Sequence, residues 1–268
     1  MMLGSVFLKT LRDQRRGMVW WGLGLALLTG LLVAFYPSIQ GIENFQSVIE
    51  AYPEELMALF GANDLSDFTS PAGYLNAELF GFMAPFLFII FAVALGSYAI
   101  AGEERAGTLE LLLSAPITRG RLILEKFASM VALTAVLAAV LWVALAVGRL
   151  PAGMDISLLR LAEMTISVSL LSLTFGSIAF AVGSAKGGRG LSVGVAATAT
   201  VTTYLLSALS KIAGVMEPAQ WISPFYYYNE NNPLVNGLNL AHAAVLVVVI
   251  LLLTALAYWG FQRRDLRL

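Results

Sequence analysis

Six apolar runs, none containing Asp, Glu, Lys or Arg, constrain this chain more than any other feature. They cover approximately residues 18–36, 79–101, 127–147, 164–183, 190–210 and 243–261. Each approaches the ~20 helical residues needed to cross about 30 Å of hydrocarbon. Charge is scarce throughout: 12% of residues are charged and 59% hydrophobic, with a mean hydropathy of +0.80. A soluble domain carries about 25% charged residues, so a soluble fold of this size would lack the polar groups to cover its surface. The expected fold is an all-α integral membrane protein with about six transmembrane helices, residues 1–268 forming a single transmembrane domain.

Several function classes fall away. The net charge of -1 offers no basic surface for nucleic acid. There is no cysteine, hence no disulfide framework and no thiolate metal site. A single histidine, His242, precludes a histidine-based metal cluster within one chain. The first run follows Lys9, Arg12, Arg15 and Arg16, as in a signal peptide, but it exceeds an h-region of about 7–15 residues and lacks a small-x-small end. It is expected to be an uncleaved span.

Basic residues set the expected orientation. Lys9, Arg12, Arg15 and Arg16 precede the first run. Arg105, Arg119, Arg121 and Lys126 lie between the second and third, Lys186 and Arg189 between the fourth and fifth, and Arg263, Arg264 and Arg267 after the sixth. Only Arg149, Arg160 and Lys211 fall on the other side. The positive-inside bias then places both termini in the cytoplasm of a multi-pass plasma-membrane protein. Segment Met2–Gly17 is amphipathic and is expected to lie along the inner surface. The loop from Pro37 to Glu78 shows helical spacing at Ile39, Ile42, Phe45, Ile49 and Tyr52, interrupted by Pro53, which predicts two short surface helices. A second long loop holds Trp221, Pro224, Phe225, Tyr226, Tyr227 and Tyr228. These suit either an interfacial aromatic belt or a half-inserted hairpin closing the outer end of a pathway.

Catalysis finds little purchase. Gly190-Leu191-Ser192-Val193-Gly194 matches G-x-S-x-G, the hydrolase elbow. A nucleophilic serine needs a base within about 2.6–3.2 Å. Under this topology Ser192 and His242 stand at opposite membrane faces, roughly 27 Å apart. Gly190 and Gly194 read better as a small-residue contact face, extended by Ala197, Thr198 and Val201, for an interior or dimer-facing helix. Residues 183–190 resemble a phosphate loop only superficially, lacking G-K-[ST] and any preceding strand, and are expected to form a tight turn. No catalytic, cofactor-binding or metal residues are expected.

The spans hold no ionisable relay of the kind ion-coupled carriers keep at membrane depth. They offer hydroxyls instead, among them Ser167, Ser172, Thr174, Thr198 and Thr200, which bond helix carbonyls or neighbouring helices. Energy must then come from a partner, unless the chain is passive: a six-span channel or receptor subunit remains an alternative.

The segment between the second and third spans weighs against passivity. It reads Gly102-Glu-Glu-Arg-Ala-Gly107-Thr-Leu-Glu110-Leu-Leu-Leu-Ser-Ala-Pro116-Ile-Thr-Arg119, followed by Glu125-Lys126. A short helix over about 107–115 is predicted, capped by Thr108, with Glu110 in its first turn and Pro116 ending it. Its apolar face of Leu109, Leu112 and Leu113 has no evident partner in the chain and is a candidate docking surface. Arg119 falls just past its end, where a cation suits the dipole.

This segment resembles the hallmark of the ABC-2 family of transporter permeases: an acidic pair, Gly-Thr-Leu-Glu, a leucine run, a Ser/Ala-Pro, an Arg and a following Lys. Glu103, Glu104, Gly107, Thr108, Leu109, Glu110, Leu111, Leu112, Pro116, Arg119 and Lys126 fit it. Arg263-Arg264-Asp265-Leu266, the six spans and the Pro-aromatic stretch also look like that family. The resemblance implies a permease dimer, homo- or heteromeric, over two separate ATPase subunits that would hold ATP and Mg. The short helix would be the coupling helix. The resemblance further implies export, and the uncharged spans favour an amphipathic or apolar cargo such as a drug, antibiotic or lipid.

Overall fold

The computed structural model describes residues 5–40, 70–114, 116–212 and 220–264. Of the surface helices expected over residues 39–60, Ile39 and Gln40 instead end the first long helix; the rest, together with Met2, Ala115, Lys211 beyond its backbone, and Asp265-Leu266, lies outside the described residues or side chains.

The helices start where short polar side chains can take up free N–H groups. Ser70 accepts from the Gly73 amide ahead of α2 (Pro71–Leu75), and Thr118 from the Arg121 amide ahead of α6 (Arg119–Gly148). Ser157 accepts from the Leu159 amide before α7 (Leu158–Lys186). Ser223 does the same before α9 (Pro224–Asn229), as does Asn239 before α10 (Leu240–Arg263). The remaining elements are α1 (Val6–Gln40), α3 (Met83–Ala99), α4 (Ala101–Arg105), α5 (Leu109–Leu113) and α8 (Arg189–Ile212), with π-helical turns at Asn76–Phe80 and Asn232–Asn236.

Five helices, α1, α6, α7, α8 and α10, are long and apolar enough to cross a membrane. A sixth crossing is reached only by taking as one a bent pair, Pro71–Phe80 followed by Met83–Ala99, which meet at 41°. The break falls at Gly81-Phe82, where the expected continuous run 79–101 was drawn without one. The N-terminal segment also departs from expectation. It is not a separate surface helix: α1 runs unbroken for 35 residues, about 52 Å, so its basic first turns project beyond a hydrocarbon core of about 30 Å. Continuity has a local cause. Glu125 accepts from the Phe7 amide at 2.9 Å and the Ser5 hydroxyl at 3.1 Å, holding an anion at the positive end of α1.

α7 is the central helix, with 67% of its apolar window buried against 22% for α1, α8 and α10. It packs on α3, α10, α8 and α6, while α1 lies against α6. Its crossing with α3 depends on missing side chains: a Cβ on Gly96 would stand 2.2 Å from the Gly176 carbonyl oxygen. Most span hydroxyls bond their own helix, as with Thr174 to Leu170 O and Thr200 to Ala196 O. Ser167 instead reaches the Tyr228 carbonyl at 2.7 Å. The outer faces of α1, α8 and α10 are apolar and uncovered, for example Trp20, Leu27 and Leu252, as lipid-facing surfaces are. The chain rises and falls so that Ser5, Lys9, Glu103, Arg119, Arg189 and Arg264 gather at one end of the bundle, hereafter the basic end.

Candidate functional site

At the basic end, Glu103 is the point where four elements meet. Its carboxylate lies 2.5 Å from Lys126 Nζ on α6 and 3.7 Å from Lys9 Nζ on α1. The Thr108 hydroxyl donates to that carboxylate, and the Thr108 amide to the Glu103 carbonyl at 2.9 Å. Lys9 also pairs with Asp13 at 3.0 Å. The Glu103–Lys126 pair is almost fully shielded, with both side chains under 5% exposed. Burial raises the Glu103 pKa, but the Lys126 charge and hydrogen bond, then Thr108 and Lys9, outweigh it, and the carboxyl is held below its usual range. A lysine at the mouth of an apolar run was the sequence signal for this pair, since such a charge requires a partner.

Thr108 therefore does not cap α5. It occupies the N-cap position, but its hydroxyl points backwards and makes no cap bond. A cap would have the hydroxyl accept from an amide; here it donates to the charged Glu103 carboxylate, a stronger bond than a neutral one. Gly107, at φ +68°, makes the turn that permits this return, in a conformation suited to glycine.

The docking face drawn from the sequence needs a second correction. Leu109 and Leu112 are 3% and 2% exposed and belong to a core with Ile100, Leu122, Ile123, Phe180 and Phe261. Leu113 packs partly against the same core. The expected apolar face of α5 thus has its partner in its own chain. What α5 turns outward is Glu110 and Leu111, the latter 69% exposed, flanked by Arg105, Gly107, Ser114 and Pro116. In the sequence, three leucines in a row hide which one a five-residue helix leaves outside.

Arg119 is also reassigned. It donates to the Arg264 carbonyl at 2.9 Å and the Phe261 carbonyl at 3.4 Å, so it caps the C-terminus of α10 rather than complementing α5. Glu104 binds the Arg264 guanidinium. Gly187, in the two-glycine turn between α7 and α8, sits beside both side chains. The loop bearing α5 is thereby tied to the last helix and to the α7–α8 turn.

The aromatic stretch at the opposite end divides in two. Phe225 and Tyr228 are buried. Phe225 stacks on Tyr204, Phe175 and Phe86, and the Tyr228 hydroxyl donates to the Phe80 carbonyl at 2.8 Å. Pro224 begins α9. Trp221, Tyr226 and Tyr227 stay nearer the surface; the two tyrosines flank His242, about equally close at 5.5 and 5.4 Å between ring centroids, and Trp221 packs on Tyr226 at 5.2 Å. Ser192 lies at the basic end, its hydroxyl donating to the Gly188 carbonyl at 3.2 Å. It and His242 occupy opposite ends of the bundle.

Comparison with known proteins agrees with this architecture. Part of the chain is 35% identical over 121 residues to the "Probable ABC transporter permease protein NosY" of Stutzerimonas stutzeri, covering 42% of this chain and 44% of that protein. The chain therefore spans less than half the length of the curated relative it matches. A family pattern described as "ABC-2 family transporter protein" matches residues 5–266, from the first turn of α1 to just beyond α10. With a match from end to end, this chain belongs to the ABC-2 family of transporter proteins.

Proposed function

We propose that this chain is the membrane-spanning half of an ATP-driven exporter, working as a dimer over two separate ATPase subunits that hold ATP and Mg. The observation that carries the reading is α5. It is anchored rigidly on one side by Leu109, Leu112 and the Glu103–Lys126–Thr108 network, and it turns Glu110 and Leu111 outward on the other. A short helix so fixed transmits force to α3, α6 and α1 when pushed. The similarity to a probable ABC transporter permease supports this reading, as does the crowding of Lys and Arg at the same end, which favours a cytoplasmic location in the plasma membrane. Glu103, Glu104, Gly107, Thr108, Leu109, Leu112, Leu113, Pro116 and Arg119 set the position of α5; Glu110 and Leu111 meet the ATPase.

The second permease chain would lie along α8. Gly190 and Gly194 have no neighbour within 4 Å of where a Cβ would be, and Leu191 and Val201 beside them are more than half exposed, which suits close approach of another helix. Cargo would be amphipathic or apolar, because the spans offer no charge to pair with an ionic one. Phe225 and Tyr228 would form the outer closure.

The test is copurification of the chain with its ATPase. Burying Leu111 contributes roughly 1–2 kcal/mol, scaled from about 1.5–3 for a fully buried leucine. Leu111→Asp should fold normally, lose the ATPase and lose transport. Leu112→Asp should fail earlier, in folding, because it places a carboxylate in the core. Normal ATPase binding and transport by Leu111→Asp would remove the proposal.

A further inference from the structure

Two cavities meet along α1 at Trp21. The nearer to the basic end has a volume of 230 Å³ and is lined by Gln14, Met18 and Trp21 of α1, Tyr98 of α3, Leu133 of α6 and Arg189 of α8. The second, 380 Å³, continues along α1 past Gly24 and Leu28 against Leu87 and Leu137 and is lined almost wholly by apolar groups. The two share Trp21 in their linings and so follow one another along α1 as a groove with a polar head and an apolar tail.

The charge at the head is unbalanced. Arg189 is exposed, has no carboxylate partner among the described residues and lies 5.6 Å from the centroid of the Tyr98 ring. The nearby acids are engaged elsewhere: Asp13 pairs with Lys9 at 3.0 Å and Glu103 with Lys126 at 2.5 Å. The tail has room that the chain does not use. A Cβ on Gly24 would find nothing within 4 Å, so a residue that weakens a helix stands here without any element of this chain packed on it. Dimensions agree: Gln14 and Leu28 are about 21 Å apart along the helix, enough for a headgroup and one acyl chain crossing a leaflet of about 15 Å.

We infer that this groove binds one membrane phospholipid with an anionic headgroup, its phosphate on Arg189, Gln14 and Tyr98 and one acyl chain along Trp21, Gly24 and Leu28. An anionic phosphate answers the unpaired guanidinium, and an acyl chain fills an apolar groove that faces the bilayer. The site requires neither nucleotide nor a partner subunit, so it stands independently of the coupling surface.

The chain purified in mild detergent is titrated with dioleoylphosphatidylglycerol or with dioleoylglycerol, which has the same acyl chains and no phosphate, and bound lipid is counted by native mass spectrometry. The anionic lipid should bind about tenfold more tightly, the value of one charge-assisted contact. Arg189→Gln should erase that preference. Gly24→Phe fills the groove without reaching Arg189 and should weaken both lipids about tenfold; Gly24→Leu gives the same readout if Phe perturbs folding. Arg121→Gln, an exposed arginine paired with Glu125, should change neither. Excess glycerol phosphate separates a lipid site from a simple anion site and should not displace the lipid. Equal binding of the two lipids by the wild type, unchanged binding by both Gly24 variants, or displacement by glycerol phosphate would each overturn the inference.

Discussion

Removing one member of the Glu103–Lys126 pair should damage this protein more than removing both. The two side chains are 4% and 2% exposed and lie 2.5 Å apart. Loss of a single partner from a buried pair costs about 3–5 kcal/mol, because the survivor is left charged without solvent or counterion. Glu103→Gln should reach the upper part of that range, since Lys126 has no other carboxylate partner among the described residues and the Thr108 hydroxyl exchanges a charged acceptor for a neutral one. Lys126→Met should fall near the lower part, because Lys9, 3.7 Å from Glu103 and 30% exposed, remains to offset the carboxylate. The double variant Glu103→Gln/Lys126→Met should recover most of the loss, as replacement of buried pairs by uncharged groups is often neutral or better. The assay is thermal unfolding in detergent followed by tryptophan fluorescence, read as a double-mutant cycle. The reasoning fails if the two single losses add, or if either single change costs less than about 1 kcal/mol, the value of a solvent-exposed pair.

Other consequences are narrower. The Glu103 carboxyl is held below its usual 4.5 in the folded protein, so its contribution is fully present above the unfolded value and is lost as pH falls through the lower folded value. Acid unfolding below about pH 4.5 should therefore be less steep in Glu103→Gln, as measured by fluorescence against pH. Gly194→Leu should leave the monomer's melting temperature intact and abolish dimers in crosslinking, whereas Gly96→Leu should prevent folding, because its Cβ meets the Gly176 carbonyl. At the outer end, Phe225→Ala should lower stability by about 3–5 kcal/mol as a cavity in the core, while Tyr226→Ala and Tyr227→Ala should be nearly silent in melting experiments.

The spans were legible because each apolar run is long and lacks charge, a pattern that only a membrane tolerates at this length. The bend at Gly81-Phe82 was not, since π-helical turns leave no mark on hydropathy. Nor was the full length of α6: Thr118 caps it nine residues before Phe127, where the apolar run begins, so hydropathy alone reads a polar helical stretch as loop. Within the site, the motif located the segment correctly but not its orientation. A five-residue helix has no periodicity from which to tell its inner face from its outer one. Leu109 and Leu112 turned inward because Ile100, Leu122 and Phe261 from three other elements converge there, a tertiary fact. In sequence Arg119 lies nearest the end of α5, whereas its guanidinium serves α10, 142 residues away. The buried and surface halves of the 221–228 stretch were likewise inseparable until α8 supplied Tyr204 and α7 supplied Phe175 as stacking partners.

The chain has no cysteine, so a single thiol at position 111 reports directly on the central claim. Leu111→Cys, reconstituted in vesicles, is treated with a membrane-impermeant maleimide in the presence and absence of the ATPase subunit. The account predicts rapid labelling from the face bearing the chain termini without the ATPase, protection when the ATPase is bound, and little labelling of Leu112→Cys in either state. Labelling of Leu111→Cys that is indifferent to the bound ATPase would contradict it.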